Sequence, residues 1–183
     1  MDKITDPGKL AKEAKSQYQK GEFLEAAGSF QAAQQGFLEQ NDRLNAAEMA
    51  NNASVAFLQA DMAEAAYAAA KGTPDVFAEL GDLTRQAMAL GNLGSAAEAL
   101  GKRDEASDLF QQSANILSQT GEDQLRAAVM QSLSMLQLKS GRQLEALTTM
   151  QSGLNGVKRP NPKQSFIKKL LRIPIDMAMR GKS

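Results

Sequence analysis

Four short blocks recur along the chain: Gly21-Glu22-Phe23-Leu24-Glu25-Ala26, Ala60-Asp61-Met62-Ala63-Glu64-Ala65, Gly101-Lys102-Arg103-Asp104-Glu105-Ala106 and Gly141-Arg142-Gln143-Leu144-Glu145-Ala146. Their closing alanines lie 39, 41 and 40 residues apart. A near-constant period of this size constrains the fold more than any other feature. Each repeat is one supersecondary unit that buries its apolar face only by stacking on its neighbours. The expectation is a helical solenoid, whose long surface serves to hold other proteins.

Within each repeat the apolar residues keep helical spacing on both sides of the block. In the third repeat Leu83, Ala87, Leu90, Leu93, Gly94, Ala97 and Leu100 mark one helix that stops at Gly101; Ala106, Leu109, Phe110, Ala114 and Leu117 mark the next. The same reading gives helix pairs from Lys9 to Glu39, Arg43 to Glu79, Leu83 to Gln119 and Gln124 to Gly156. Asn41-Asp42, Gly81-Asp82 and Gly121-Glu122 fall in the joints between pairs, where a turn residue precedes an acid able to cap the next helix. Strand patterning is absent.

The residue inventory excludes most chemistry. There is no His and no Cys, which removes the usual general base, thiolate metal sites, disulfides and the Ser/His or Cys/His nucleophiles together. Gly91-Asn92-Leu93-Gly94 lies inside a helical pattern and Gly181-Lys182-Ser183 ends the chain, so neither forms a phosphate-cradling loop. No catalytic residue, metal site or cofactor is expected. The N-terminal residues lack the layout of a signal peptide, and no apolar run is long enough to span a bilayer. The expectation is a cytoplasmic bacterial protein.

These repeats resemble the tetratricopeptide repeat. That family carries an apolar residue with Gly or Ala in the first helix, Gly at the turn, then Ala, an aromatic and Ala in the second. The third repeat offers Leu93-Gly94, Gly101, Ala106 and Phe110, with Ser113 at the last place; the first offers Ala14, Gly21, Ala26, Phe30 and Ala33. The second offers Ala53, Ala65, Ala69 and Gly72, and the fourth Ser134, Gly141, Ala146, Met150 and Gly153. The resemblance runs from about Lys9 to Gly156. A period near 40 rather than 34 is similar to the long-helix subgroup of kinesin light chains and bacterial peptide-sensing regulators. It implies an all-α, right-handed α-solenoid of four antiparallel helix pairs over residues 1–157.

The resemblance also implies a concave groove lined by the first helices, with an Asn ladder two residues before the Gly/Ala packing position. Asn51 and Asn92 match that rule, and Lys12 and Ser132 stand at the first and fourth places. An amide both donates and accepts, so an Asn can hold the main chain of an extended peptide regardless of its side chains. The alternative is that these amides satisfy polar groups of a neighbouring repeat. Lys15, Ser54, Ser95 and Met135 lie one turn on and share the wall; Gln131 adjoins Ser132 at the fourth place.

From Val157 onward the chain changes character. Eight basic residues stand against Asp176 alone, leaving thirteen basic and twenty acidic residues in the body. An acidic body argues against a nucleic-acid partner. Residues 158–183 read as a two-faced helix, with Phe166, Ile167, Leu170 and Leu171 opposite Lys168, Lys169 and Arg172, interrupted by Pro174. Such a helix suits the end cap that a solenoid needs, or weak contact with an anionic membrane surface. The expected function is a non-catalytic adaptor or scaffold holding a protein or extended peptide. The rivals are a peptide-sensing regulatory module and a membrane-assembly factor anchored by the tail.

Overall fold

In the computed structural model, residues 6–169 are described. Among them the chain is helical without a strand: α1 (Pro7–Lys20), α2 (Phe23–Glu39), α3 (Arg43–Gln59), α4 (Ala63–Ala70), α5 (Thr73–Glu79), α6 (Leu83–Ala99), α7 (Arg103–Thr120), α8 (Asp123–Lys139) and α9 (Gln143–Asn155). A further helical stretch covers 162–169. This is an all-α repeat fold of the α-solenoid class. It divides into two compact units, one ending at Ser113 and the other beginning at Ala114.

The helices are cut to length by backbone handedness. Positive φ occurs at Gly21, Asn41, Asp61, Gly81, Gly101, Gly121 and Gly141, one residue in every twenty. The left-handed residue closes the helix before it: Gly21 N–H donates to Tyr18 O and Glu22 N–H to Gln17 O, and the same pair recurs from Asn41 and Asp42 to Leu38 and Phe37. Asn41 and Asp61, both at φ 57°, stand where the other turns use glycine, since short polar side chains tolerate this region best after glycine. The next helix is then capped by Asp42, whose side chain accepts from Asn45 N–H, and by Asp82, which accepts from Arg85 N–H. Glu122 makes no such side-chain bond.

Asp61, not Ala60, is therefore the turn residue of the second repeat, and the true period is forty throughout. The alanines in phase are Ala26, Ala66, Ala106 and Ala146, each no more than 1% exposed. Ala65, taken as the second of these from the sequence, is only half-buried. The same shift puts Ser54, rather than Ala53, in line with Ala14, Gly94 and Ser134 at the crossing of each pair. The closeness needed there shows at Gly94, where an added Cβ would lie 3.0 Å from the Phe110 ring. Ser113 keeps the fold at the place of the expected alanine by donating from Oγ to Ala87 O at 2.6 Å.

One helix departs from the expected pattern. The second helix of the second repeat, read from the sequence as continuous to Glu79, breaks between α4 and α5. Pro74 cannot donate and its ring clashes with the carbonyl four residues back, that of Ala70. The chain turns at Gly72, at φ 84°, and Thr73 Oγ1 donates to Ala70 O at 2.8 Å. Ala70 holds the position occupied by Phe30 and Phe110 in neighbouring repeats, and Phe77 of α5 fills the core beside Ala47 and Ala89 instead. Tyr67 of α4 donates its hydroxyl to Glu105, while Lys102 Nζ sits 3.9 Å from the centre of the Tyr67 ring.

In the second unit Ser134 Oγ donates to Ala146 O at 2.7 Å, tying α8 to α9. The stretch after Val157 starts with a reciprocal cap, Asn161 N–H to Gln164 Oε1 and Gln164 N–H to Asn161 Oδ1, both 2.9 Å. It is tied to α8 through Gln164 and Gln124, and to α9 by Lys168 Nζ donating to Leu154 O. Ile167 is half-buried and Phe166 is 67% exposed. Leu170, Leu171 and Arg172 lie outside the described residues.

Candidate peptide-binding groove

The first helices of the repeats in the first unit are α1, α3 and α6. The forty-residue period aligns Lys12, Asn52 and Asn92 on one row and Lys15, Val55 and Ser95 on the next. The side chains on these rows are exposed or half-buried, with Lys12 and Lys15 exposed and Asn52, Val55, Asn92 and Ser95 half-buried. Asn51 and Ser54, the expected groove residues of the second repeat, belong to other rows. Asn51 is 7% exposed and Ser54 wholly buried, because the one-residue slip described above rotates both by about 100° around the helix.

The two asparagines of the expected ladder meet each other. Asn92 Nδ2 donates to Asn51 Oδ1 at 3.1 Å, joining α6 to α3. A second link between these helices runs from Arg85 to Glu48 at 3.6 Å. Arg85 is also held by Asp82, Nη1 to Oδ2 at 2.6 Å, so its guanidinium is occupied by two carboxylates. In return the backbone and side-chain hydrogen bonds from Arg85 keep the Asp82 carboxyl below the usual range. Ser95 Oγ donates to Gly91 O at 3.1 Å within its own helix.

Between α1 and α3 the corresponding links are missing. Forty residues before Asn51 and Asn92 stand Ala11 and Asn52; forty before Glu48 and Arg85 stand Gly8 and Asn45. Alanine and glycine offer nothing to bond, and Asn45 Nδ2 instead donates to Asp42 at 2.6 Å. Here a cavity of about 240 Å³ opens, lined by Lys15, Tyr18, Gln19, Phe30, Asn52 and Val55. Asn52 has no hydrogen-bond partner among the described residues. Only Lys15 of this lining was legible from the sequence. Asn52 was hidden by its neighbour, since Asn51 and Asn52 are identical residues one step apart.

A larger cleft of about 520 Å³ lies by the α4–α5 break, lined by residues of α2, α3, α4 and α5. Its lining is rich in alanine, including Ala46, Ala50, Ala65 and Ala69. Arg43 at its edge is already paired with Glu79 at 2.5 Å. In the second unit Gln131 of α8 is exposed, Ser132 half-buried and Met135 exposed. Among the described residues no cluster of acids could hold a metal ion, and no helix is long and apolar enough to cross a membrane.

Residues 85–159 match the tetratricopeptide-repeat family. No curated protein matches the chain. Among solved structures, BtubC (BKLC) from P. vanneervenii superimposes with a TM-score of 0.68 at 19% identity, over 88% of this chain and 70% of that one. At that identity the likeness concerns the fold. The chain is thus similar to tetratricopeptide repeats over its third and fourth repeats, and it shares a helical-repeat fold over most of its length.

Proposed function

We propose that the chain is a non-catalytic adaptor that holds an extended segment of a protein partner along α1, α3 and α6. Tetratricopeptide repeats in general serve protein–protein interaction, and the groove rows here are the polar, accessible side of these helices. The observation that carries the reading is Asn52: a half-buried amide lining a cavity, with no hydrogen-bond partner among the described residues. A backbone peptide group can satisfy both its donor and its acceptor. Lys15 and Ser95 act with it on the adjacent row, whereas Asn51 and Ser54 act structurally. In the second unit Ser132 holds the corresponding place on α8, with Gln131 exposed beside it. The described part of the 158–183 segment, up to residue 169, serves as the end cap, a reading supported by the bonds of Gln164 and Lys168 to the last repeat. The site of action is the cytoplasm.

The test is site-specific photocrosslinking in the native cell lysate. A photoreactive residue at Gln19 or Ser95 is expected to give discrete partner adducts, lost when Asn52→Arg is added. The same residue at Gln35, exposed on α2 and outside both cavities, serves as the outer-face control. Adducts from Gln35 alone, or groove adducts indifferent to Asn52→Arg, overturn the groove assignment.

A further inference from the structure

Successive second helices meet in one place and stand apart in another. Between α4 and α7, Tyr67 donates its hydroxyl to Glu105 and Lys102 Nζ lies over the Tyr67 ring. Forty residues earlier, between α2 and α4, the same three places hold Ala27, Met62 and Ala65. None of these side chains can bridge the junction. Here α2 and α4 both pack on α3, and the 520 Å³ cleft lies between them. We infer that this cleft is a binding site for a free aliphatic carboxylate of the fatty-acid class, its alkyl chain among the alanines of α3 and α4 and its head on Arg43 and Lys71. The site is separate from the groove. On α3 the cleft takes Ala46, Ala47 and Ala50, and the groove takes Asn52 and Val55; at about 100° per residue these sets fall on nearly opposite sides of the helix.

The lining selects an alkyl chain. Its volume of about 520 Å³ falls within the roughly 300–1,000 Å³ of pockets that enclose small molecules. Among the described residues it has no aromatic ring on which a planar ligand could stack. Its hydroxyl, Thr73 Oγ1, is already given to Ala70 O. An aliphatic chain asks for no hydrogen bond, whereas a peptide main chain would set donors and acceptors against alanines of α3 and α4 that cannot answer them. A partner's helix would need a longer straight track. The second-repeat wall consists of α4 and α5, of 8 and 7 residues, and it changes direction at Gly72, at φ 84°.

Charge selects the head group. The lining contains Arg43 and Lys71 and, among the described residues, no acid, although the body of the protein is acidic overall. Lys71 is exposed and has no ion-pair partner among the described residues. Arg43 is paired with Glu79, but the two side chains are 56% and 61% exposed, so the pair is weak and the guanidinium keeps donors for a second carboxylate. Ala46, Ala47 and Ala50 are buried where Arg43 and Lys71 are exposed. The apolar atoms therefore lie deep and the cations at the mouth, the polarity of an amphiphile with an anionic end.

The test is isothermal titration calorimetry of the full chain with decanoate, decanol and decyltrimethylammonium, each kept below its micelle concentration. Decanoate is expected to bind saturably, one molecule per chain, at least about fivefold more tightly than the ammonium, with decanol between them. Octanoate, shorter by two methylenes, is expected to bind roughly tenfold more weakly than decanoate. Ala68→Phe, at an exposed alanine of the lining, fills the cleft and is expected to abolish binding with the thermal melt unchanged; Ala65→Leu is the second filling variant. Lys71→Glu is expected to erase the preference for carboxylate over ammonium. No binding, equal binding of the two head groups, or binding indifferent to both filling variants overturns the inference. Uptake of many molecules without saturation is detergent-like association, and the inference falls. It falls also if Asn52→Arg removes decanoate as fully as Ala68→Phe does, since the ligand then sits in the groove. If the chain floats with phosphatidylglycerol vesicles in a Lys71-dependent way while decanoate fails to bind, the face is a membrane contact and the free-carboxylate site is refuted.

Discussion

Adjacent alanines on one helix give the sharpest test of the repeat phase. Ala66 is fully buried in the core with Ala26, Phe57 and Ala96, whereas Ala65 is half-buried and faces the 520 Å³ cleft. Leucine is almost as good a helix former as alanine, so intrinsic propensity nearly cancels between the two substitutions. What remains is packing. Ala66→Leu forces three carbons into a filled crossing, at a cost of about 1–3 kcal/mol. For a chain of 183 residues that is a fall in melting temperature of roughly 2–12 °C. Ala65→Leu extends into the cleft, where partial burial of added methylenes offsets any crowding, and the net change stays within about 1 kcal/mol. Thermal unfolding followed by circular dichroism reads both. A larger loss for Ala65→Leu than for Ala66→Leu refutes the forty-residue phase and with it the assignment of Asn52.

Gly101→Ala places a Cβ at φ 76° and is expected to cost about 1–2 kcal/mol in urea unfolding, while Asp61→Gly, at φ 57°, changes stability by less than about 1 kcal/mol. Asn92→Ala strips the donor from a nearly buried Asn51 oxygen and lowers stability by about 1–3 kcal/mol, whereas Asn52→Ala leaves the melt unchanged and weakens partner binding. Asp82→Ala removes a helix cap worth about 1 kcal/mol. Because the folded carboxyl titrates below its unfolded value, this stabilisation is complete above the unfolded range, near pH 4, and fades as pH falls through the folded value. The gap between wild type and Asp82→Ala in melts at pH 7 and pH 3 therefore narrows on acidification; a gap that widens contradicts the cap.

The sequence by itself determined the helix class, the four repeats and most of the turns, because glycine at positions 21, 81, 101, 121 and 141 punctuates long apolar periodicities and nothing competes with that signal. It also determined the absence of His and Cys chemistry, and the charge contrast between body and tail. The tertiary structure decided the rest. Asp61 and Asn41 take left-handed turns that glycine fills elsewhere, and one residue of slip at Asp61 exchanged Ala65 for Ala66, Asn51 for Asn52 and Ser54 for Val55. A slip of one residue turns a helix by about 100°, enough to swap a core position for a groove position. Local sequence tolerates either phase in an alanine-rich segment such as 60–70, where many positions carry the same small residue. Only packing distinguishes them, since a neighbouring helix presents one complementary face. The break at Gly72 has the same origin: Pro74 forbids a continuous helix, but where Phe77 could be buried depended on the room that Ala47 and Ala89 left beside it.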